Sequence, residues 1–213
     1  MLAFILAKSV IAAAAPCSVV LPPELQQGSL VRARGPVGST ISYAGRTLTQ
    51  TASGDFVFGI AFNAEKVMSL QIKGTDCNAT LNFPETQRSY ATERVDGVPQ
   101  NTVTPDPETA KRIALEGAMI QKARAVDSKL QFWQQAFQWP AVGRTSGVYG
   151  SQRILNGLPS SPHLGLDMAA PTGTPVVAAL SGKVTLAHAG MIMTGKTLII
   201  DHGFGINTVY ISL

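Results

Sequence analysis

The sequence predicts a mainly β protein that opens with a small β-sandwich and carries one connecting helix near its middle. Two observations predict this. From about Leu25 to Phe83 apolar and polar residues alternate in short runs broken by turn signals, the pattern of a half-buried antiparallel sheet. Further on, Asp106-Pro107-Glu108 supplies the chemistry of a helix start: a capping side chain, a proline where no intrahelical donor is lost, and an acid at the positive end of the dipole.

Composition sets the frame for the elements. With 45% hydrophobic and 14% charged residues in 213, the chain has the make-up of a folded globular protein rather than a disordered one. Lys and Arg outnumber Asp and Glu by 17 to 13, for a formal charge of +4. The charges are spread rather than gathered in a run, so they imply only loose attraction to an anionic polymer such as a cell wall, a membrane surface or nucleic acid. With the rest of the chain taken together, no nucleic-acid partner is expected.

Residues 1–16 form an apolar stretch ending in Ala12 to Ala15 and Pro16, which reads as a secretory signal segment and implies export to the periplasm or cell envelope. Lys8 interrupts it without a preceding basic residue, and a buried first helix is the alternative. It is too short to span a bilayer, so no stable membrane span is expected. Pro16 stands where lipoprotein processing wants a small residue before a cysteine, which argues against lipidation of Cys17.

The sandwich is expected over residues 17–88. Phe56, Phe58, Ile60 and Phe62 fall on one face of a strand by the two-residue period, and Met68, Leu70 and Ile72 repeat the pattern. Gly35-Pro36, Gly45 and Ser53-Gly54-Asp55 supply the turns. Cys17 and Cys77 flank this domain; they close a disulfide in an oxidising compartment or stay as two buried thiols. Asn78-Ala79-Thr80 matches a glycosylation acceptor by chance.

Residues 89–138 read as a linker followed by an amphipathic helix. Between Pro84 and Pro105 the chain is polar and Thr-rich, an extended connector. In the helix Leu115, Ala118, Met119 and Val126 share one side, with Lys111, Arg112, Lys122 and Arg124 largely elsewhere, which predicts the packing face. Phe132, Trp133, Phe137 and Trp139 form an aromatic segment expected to dock on the following domain and mark its border.

Chemistry concentrates in residues 139–213. His163 and Asp167 are four apart, so on an extended strand both would project from one face with Gly165 between them leaving the space clear. An imidazole and a carboxylate so placed form either a partial zinc site or a His hydrogen-bonded to an Asp. His202 precedes a Gly-x-Gly turn, and His188 reads as an exposed loop residue; neither is expected to bind metal.

Around that pair, Gly147-Val148-Tyr149-Gly150, His163-x-Gly165-x-Asp167, Pro171-Thr172-Gly173-Thr174-Pro175-Val176, Ser181-Gly182-Lys183-Val184 and Asp201-His202-Gly203-Phe204-Gly205 follow one another in order. In this the segment resembles the lysostaphin-type, LytM-like zinc peptidases, and the region before it is similar to the N-terminal part of exported proteobacterial members. The resemblance implies an antiparallel β domain whose groove takes an extended peptide, a peptidoglycan peptide cross-link as substrate, and Zn2+ held by His163 and Asp167. It implies a third ligand from a His-x-His pair that does not occur in the sequence, and a catalytic His in a Tyr-x-His-Leu segment, where Tyr210-Ile211-Ser212-Leu213 has Ser212. A hydroxyl cannot hold a proton near neutral pH as a general acid or base must. The expectation is therefore a truncated domain with an incomplete site, inactive as it stands, or else a non-catalytic cell-wall-binding or amidase-regulating protein on the same scaffold.

Overall fold

A computed structural model describes residues 10–12 by their backbone, 17–99 and 104–213. The rest of the expected signal segment, residues 1–9 and 13–16, lies outside the described residues. The chain divides into two compact units, Met1–Ser89 and Tyr90–Leu213.

The first unit is a β-sandwich. Strands β1 (Val10–Ala12), β2 (Val19–Leu21), β3 (Leu30–Arg34) and β6 (Asp55–Gly59) form one sheet in the order β1-β2-β3-β6. Strands β4 (Thr40–Tyr43), β5 (Arg46–Leu48), β7 (Val67–Lys73) and β8 (Asn78–Pro84) form the other in the order β5-β4-β7-β8. All pairings between these strands are antiparallel, and one isolated parallel bridge joins Gln26 to Thr86. In β7 every second residue is buried, as the period-two pattern demands. Its Met68, Leu70 and Ile72 meet Val31, Ile41, Phe56, Phe58 and Ile60 in one core, the largest favourable contribution to this unit. Phe62 does not share the strand face: β6 ends at Gly59, and Phe62 sits half-buried in the turn that follows. Cys17 and Cys77 are joined in a disulfide, with Cys77 at the core.

In the second unit part of the expected connector is a strand, β9 (Thr92–Val95), which pairs parallel with β11 (Gln152–Leu155). On its other side β11 pairs antiparallel with β12 (Leu158–Pro159) through a two-residue turn, Asn156-Gly157. Both turn residues have positive φ, 48° and 79°, the backbone for which Asn-Gly is the preferred sequence. Strands β10 (Arg144–Gly147) and β13 (Asp167–Ala169) make an antiparallel pair. Strands β14 (Lys183–Met191), β15 (Gly195–Gly203) and β16 (Ile206–Tyr210) form an antiparallel sheet with β15 in the centre.

Helix α1 (Pro107–Arg124) begins where the local chemistry places it: the Asp106 carboxylate accepts from Glu108 N at 3.0 Å and Thr109 N at 2.9 Å. Its packing face differs from the expected one. Leu115, Met119 and Val126 are exposed, whereas Glu116 and Ala123 are buried and Ile113 and Ile120 half-buried. This face packs on β14 and β15. The reason is polar: Glu116 Oε2 accepts from Ile192 N at 2.8 Å in the β14–β15 turn, and Oε1 accepts from Arg112 Nε at 2.7 Å. Burial alone would raise the Glu116 carboxyl, but these bonds outweigh it and hold the group below the usual range.

The aromatic segment docks only in part. Trp133, in a short 3-10 helix at Phe132–Gln134, is buried against Phe204 with ring centroids 5.4 Å apart. Phe137 and Trp139 are exposed. Among the described residues no helix is long and apolar enough to cross a membrane.

Candidate metal centre

His163 does not lie on a strand; β13 starts only at Asp167, and His163 belongs to the irregular segment before it. Two backbone bonds hold that segment in place: Gly150 N donates to His163 O at 2.6 Å, and His163 N donates to Ser151 O at 2.9 Å. The Gly147–Gly150 turn thus sets where the imidazole stands. Its Nε2 lies 3.1 Å from Asp167 Oδ1.

Clearance for the pair comes from across the sheet rather than from Gly165. A Cβ on Gly165 would meet His163 Nε2 at 3.4 Å, an ordinary contact. Gly147 is the direct cross-strand partner of Asp167, and a Cβ there would strike Asp167 Oδ2, with Cγ at 2.9 Å and His163 Cε1 at 3.0 Å. Only glycine at 147 leaves the carboxylate and the imidazole their present positions.

The second carboxylate oxygen is engaged. Arg153 on β11 donates to Asp167 Oδ2 at 2.8 Å, and its Nε lies 3.3 Å from Glu93 Oε2 on β9. Ser151, itself buried, places its hydroxyl 3.3 Å from the same Glu93 oxygen and 3.0 Å from Val148 O. The result is a continuous line of polar contacts, Glu93–Arg153–Asp167–His163.

The donor set suits zinc at two corners. Zn–N and Zn–O bonds of about 2.0–2.2 Å put two donors on a tetrahedral ion about 3.3 Å apart, close to the 3.1 Å observed. Nδ1 is buried and has no hydrogen-bond partner, so it stays unsatisfied whether Nε2 binds a metal or carries the proton and donates to the carboxylate. Among the described residues no group of three His, Cys, Asp or Glu gathers around one point.

The other residues singled out in the sequence lie in structural roles. His202 is fully buried, with Nδ1 2.7 Å from Ser181 O and Nε2 2.8 Å from Thr208 Oγ1; both ring nitrogens are engaged. His188 is in strand β14 rather than a loop, half-buried, and its Nδ1 accepts from Gly190 N at 3.1 Å. Ser212 follows β16, is exposed, and donates its backbone N–H to Thr194 O at 2.9 Å. Tyr210 anchors the strand before it, its hydroxyl accepting from Ala179 N at 2.7 Å. Sequence reasoning missed Arg153 and Glu93, and it gave the clearing role to Gly165 rather than Gly147. Gly147 was legible as part of its motif, and Arg153 stands just beyond that motif, but nothing local marks Glu93.

Residues 161–213, the segment that holds His163 and Asp167, match the model of peptidase family M23. A comparison with curated proteins finds no match. Among solved structures, a crystal structure of a candidate M23 peptidase from Pseudomonas aeruginosa aligns with a TM-score of 0.65 at 24% identity, over 89% of this chain and 74% of that one. The mainly β fold is shared with that structure, and the C-terminal segment of the chain, residues 161–213, is similar to the peptidases of family M23.

Proposed function

We propose that the second unit is a zinc-dependent endopeptidase domain of the peptidoglycan-cleaving type, exported to the periplasm or cell envelope. The observation that carries this reading is the His163–Asp167 pair, its donor atoms 3.1 Å apart inside the segment that matches a peptidase family. His163 and Asp167 would hold the metal, two of the three protein ligands that a catalytic zinc usually takes. When bound, zinc would polarise the scissile carbonyl and lower the pKa of its water. The chain's own part is orientation: backbone bonds from Gly150 and to Ser151 fix His163, Gly147 leaves room for the carboxylate, and Arg153 engages its outer oxygen. The Cys17–Cys77 disulfide supports export, since such bonds persist in oxidising compartments.

A second reading, a non-catalytic cell-wall-binding or amidase-regulating protein on the same scaffold, is favoured by Ser212, a hydroxyl where the resemblance places an imidazole.

The test uses the full chain, zinc and purified cross-linked peptidoglycan. The expected outcome is zinc uptake that is lost in His163→Ala and Asp167→Ala, with no new amino termini from these 213 residues, because two protein ligands and Ser212 leave the catalytic set incomplete. Zinc-independent wall binding without new termini supports the second reading. Neither binding nor cleavage overturns both.

A further inference from the structure

The polar line behind Asp167 has a direction. A carboxylate has two oxygens, and in this chain they face different partners: Oδ1 faces His163 Nε2 at 3.1 Å, and Oδ2 receives Arg153 at 2.8 Å. Arg153 is not free to swing, because its Nε is 3.3 Å from Glu93 Oε2 and the planar guanidinium presents its donors in a fixed fork. Glu93 is in turn placed by the parallel β9–β11 pairing, which sets Glu93 opposite Arg153 in register. Asp167 stays 43% exposed at its side chain, so without this tether its carboxylate would have rotational freedom that burial does not remove.

We propose that Arg153, held by Glu93, is a positioning residue that fixes the Asp167 carboxylate so that Oδ1 is presented beside the imidazole for a divalent metal. The inference rests on the zinc reading of the His163–Asp167 pair. It extends the site to β9 and β11, outside the segment that matches the family, and it assigns the otherwise unexplained parallel strand a purpose. A hydrogen-bonded partner on the far oxygen of a metal-binding carboxylate orients the ligand, and loss of such a partner typically costs 10–100-fold in metal affinity. The opposing effect is electrostatic: a cation next to the site repels a metal ion. The proposal requires orientation to win.

The experiment titrates zinc alone into the full chain in competition with a chromophoric chelator. It compares the unsubstituted protein with Arg153→Gln, Arg153→Lys and Glu93→Gln, and follows thermal unfolding of each apo protein in parallel. Arg153→Gln should weaken zinc binding by about 10–100-fold with little change in apo unfolding, Arg153→Lys should recover part of the loss, and Glu93→Gln, close to isosteric, should lose less than Arg153→Gln. Equal or tighter binding by Arg153→Gln identifies Arg153 as a competing cation and overturns the proposal while leaving the zinc site standing. Should Arg153→Gln fail to fold, unchanged affinity in Glu93→Gln overturns it instead. If the unsubstituted chain takes up no zinc, the reading of the site falls and this inference falls with it.

Discussion

Glu85 is a carboxylate without a partner. It is only 8% exposed, and neither Oε1 nor Oε2 has a hydrogen-bond partner, so desolvation pushes its carboxyl above the ordinary value of 4.5. Asp55, by contrast, is held below its ordinary value, chiefly by the Arg34 guanidinium at 2.6 Å. For Glu85 the sign runs against neutral pH. Between the unfolded pKa and the raised folded one, the folded state binds more protons, so stability falls as pH rises through that window. Glu85→Gln should therefore stabilise the sandwich at pH 7 by about 1 kcal/mol, a rise of a few degrees in midpoint, and make little difference near pH 3.5, where the carboxyl is neutral in both states. Thermal unfolding by circular dichroism at both pH values checks this; a loss at pH 7 that shrinks near pH 3.5 would mean that the carboxylate has a partner after all. The residue scale also shows what a single chain can disclose. That His163 and Asp167 could stand together was legible in their spacing, but the metal reading came from the motif resemblance, because spacing alone left a His hydrogen-bonded to an Asp open. The clearing role of Gly147 was not, because it exists only once β10 is laid against β13, and Glu93 acts through a strand pairing that no short-range pattern announces.

Elements were legible at their ends and less so on their faces. Asp106 and Pro107 mark the start of α1 by local chemistry, and the helix begins there. Which side packs was decided elsewhere, by the Ile192 N–H that Glu116 satisfies. The apolar positions Leu115 and Met119 lie roughly 100° around the helix from the face of Ile113, Glu116 and Ala123. This yields a ranking opposite to the one that the apolar stripe suggests. Leu115→Gln and Met119→Gln, at exposed positions, should each change stability by about 0.5 kcal/mol or less. Ile113→Ala should cost about 1–2 kcal/mol, below the full-burial figure because Ile113 is half-buried. Urea unfolding of the three variants decides it, and a larger loss at Leu115 than at Ile113 would restore the stripe as the packing face. The sandwich was easier, since period two shows directly in the burial of β3 and β7. In the second unit β10, β12 and β13 are two to four residues long, too short for alternation to be read. Only the antiparallel β character of this unit was expected, and that from the motif resemblance.

At the scale of the whole molecule the two cysteines both lie in the first unit, and their bond spans 60 residues of sequence. A small sandwich buries a limited core, so a constraint on its unfolded chain matters more than it would in a large domain. Closing a loop of this length removes unfolded-state entropy worth about 4 kcal/mol in the chain-entropy treatment, with typical observed values of about 2–4 kcal/mol. The bond also ties the segment entering β2 to the turn between β7 and β8, which joins the two sheets covalently. Full reduction should then lower the stability of this unit by that amount. Because each 1.4 kcal/mol is a factor of ten, the slowest-exchanging amides of β2 and β7 should lose protection by roughly 30- to 700-fold. Hydrogen exchange resolved by peptide, with and without reductant and with alkylation to confirm the thiol state, reads this directly. Equal protection in both states would mean that the core holds the two sheets together without the bond, and the disulfide would lose its place as a structural argument for export.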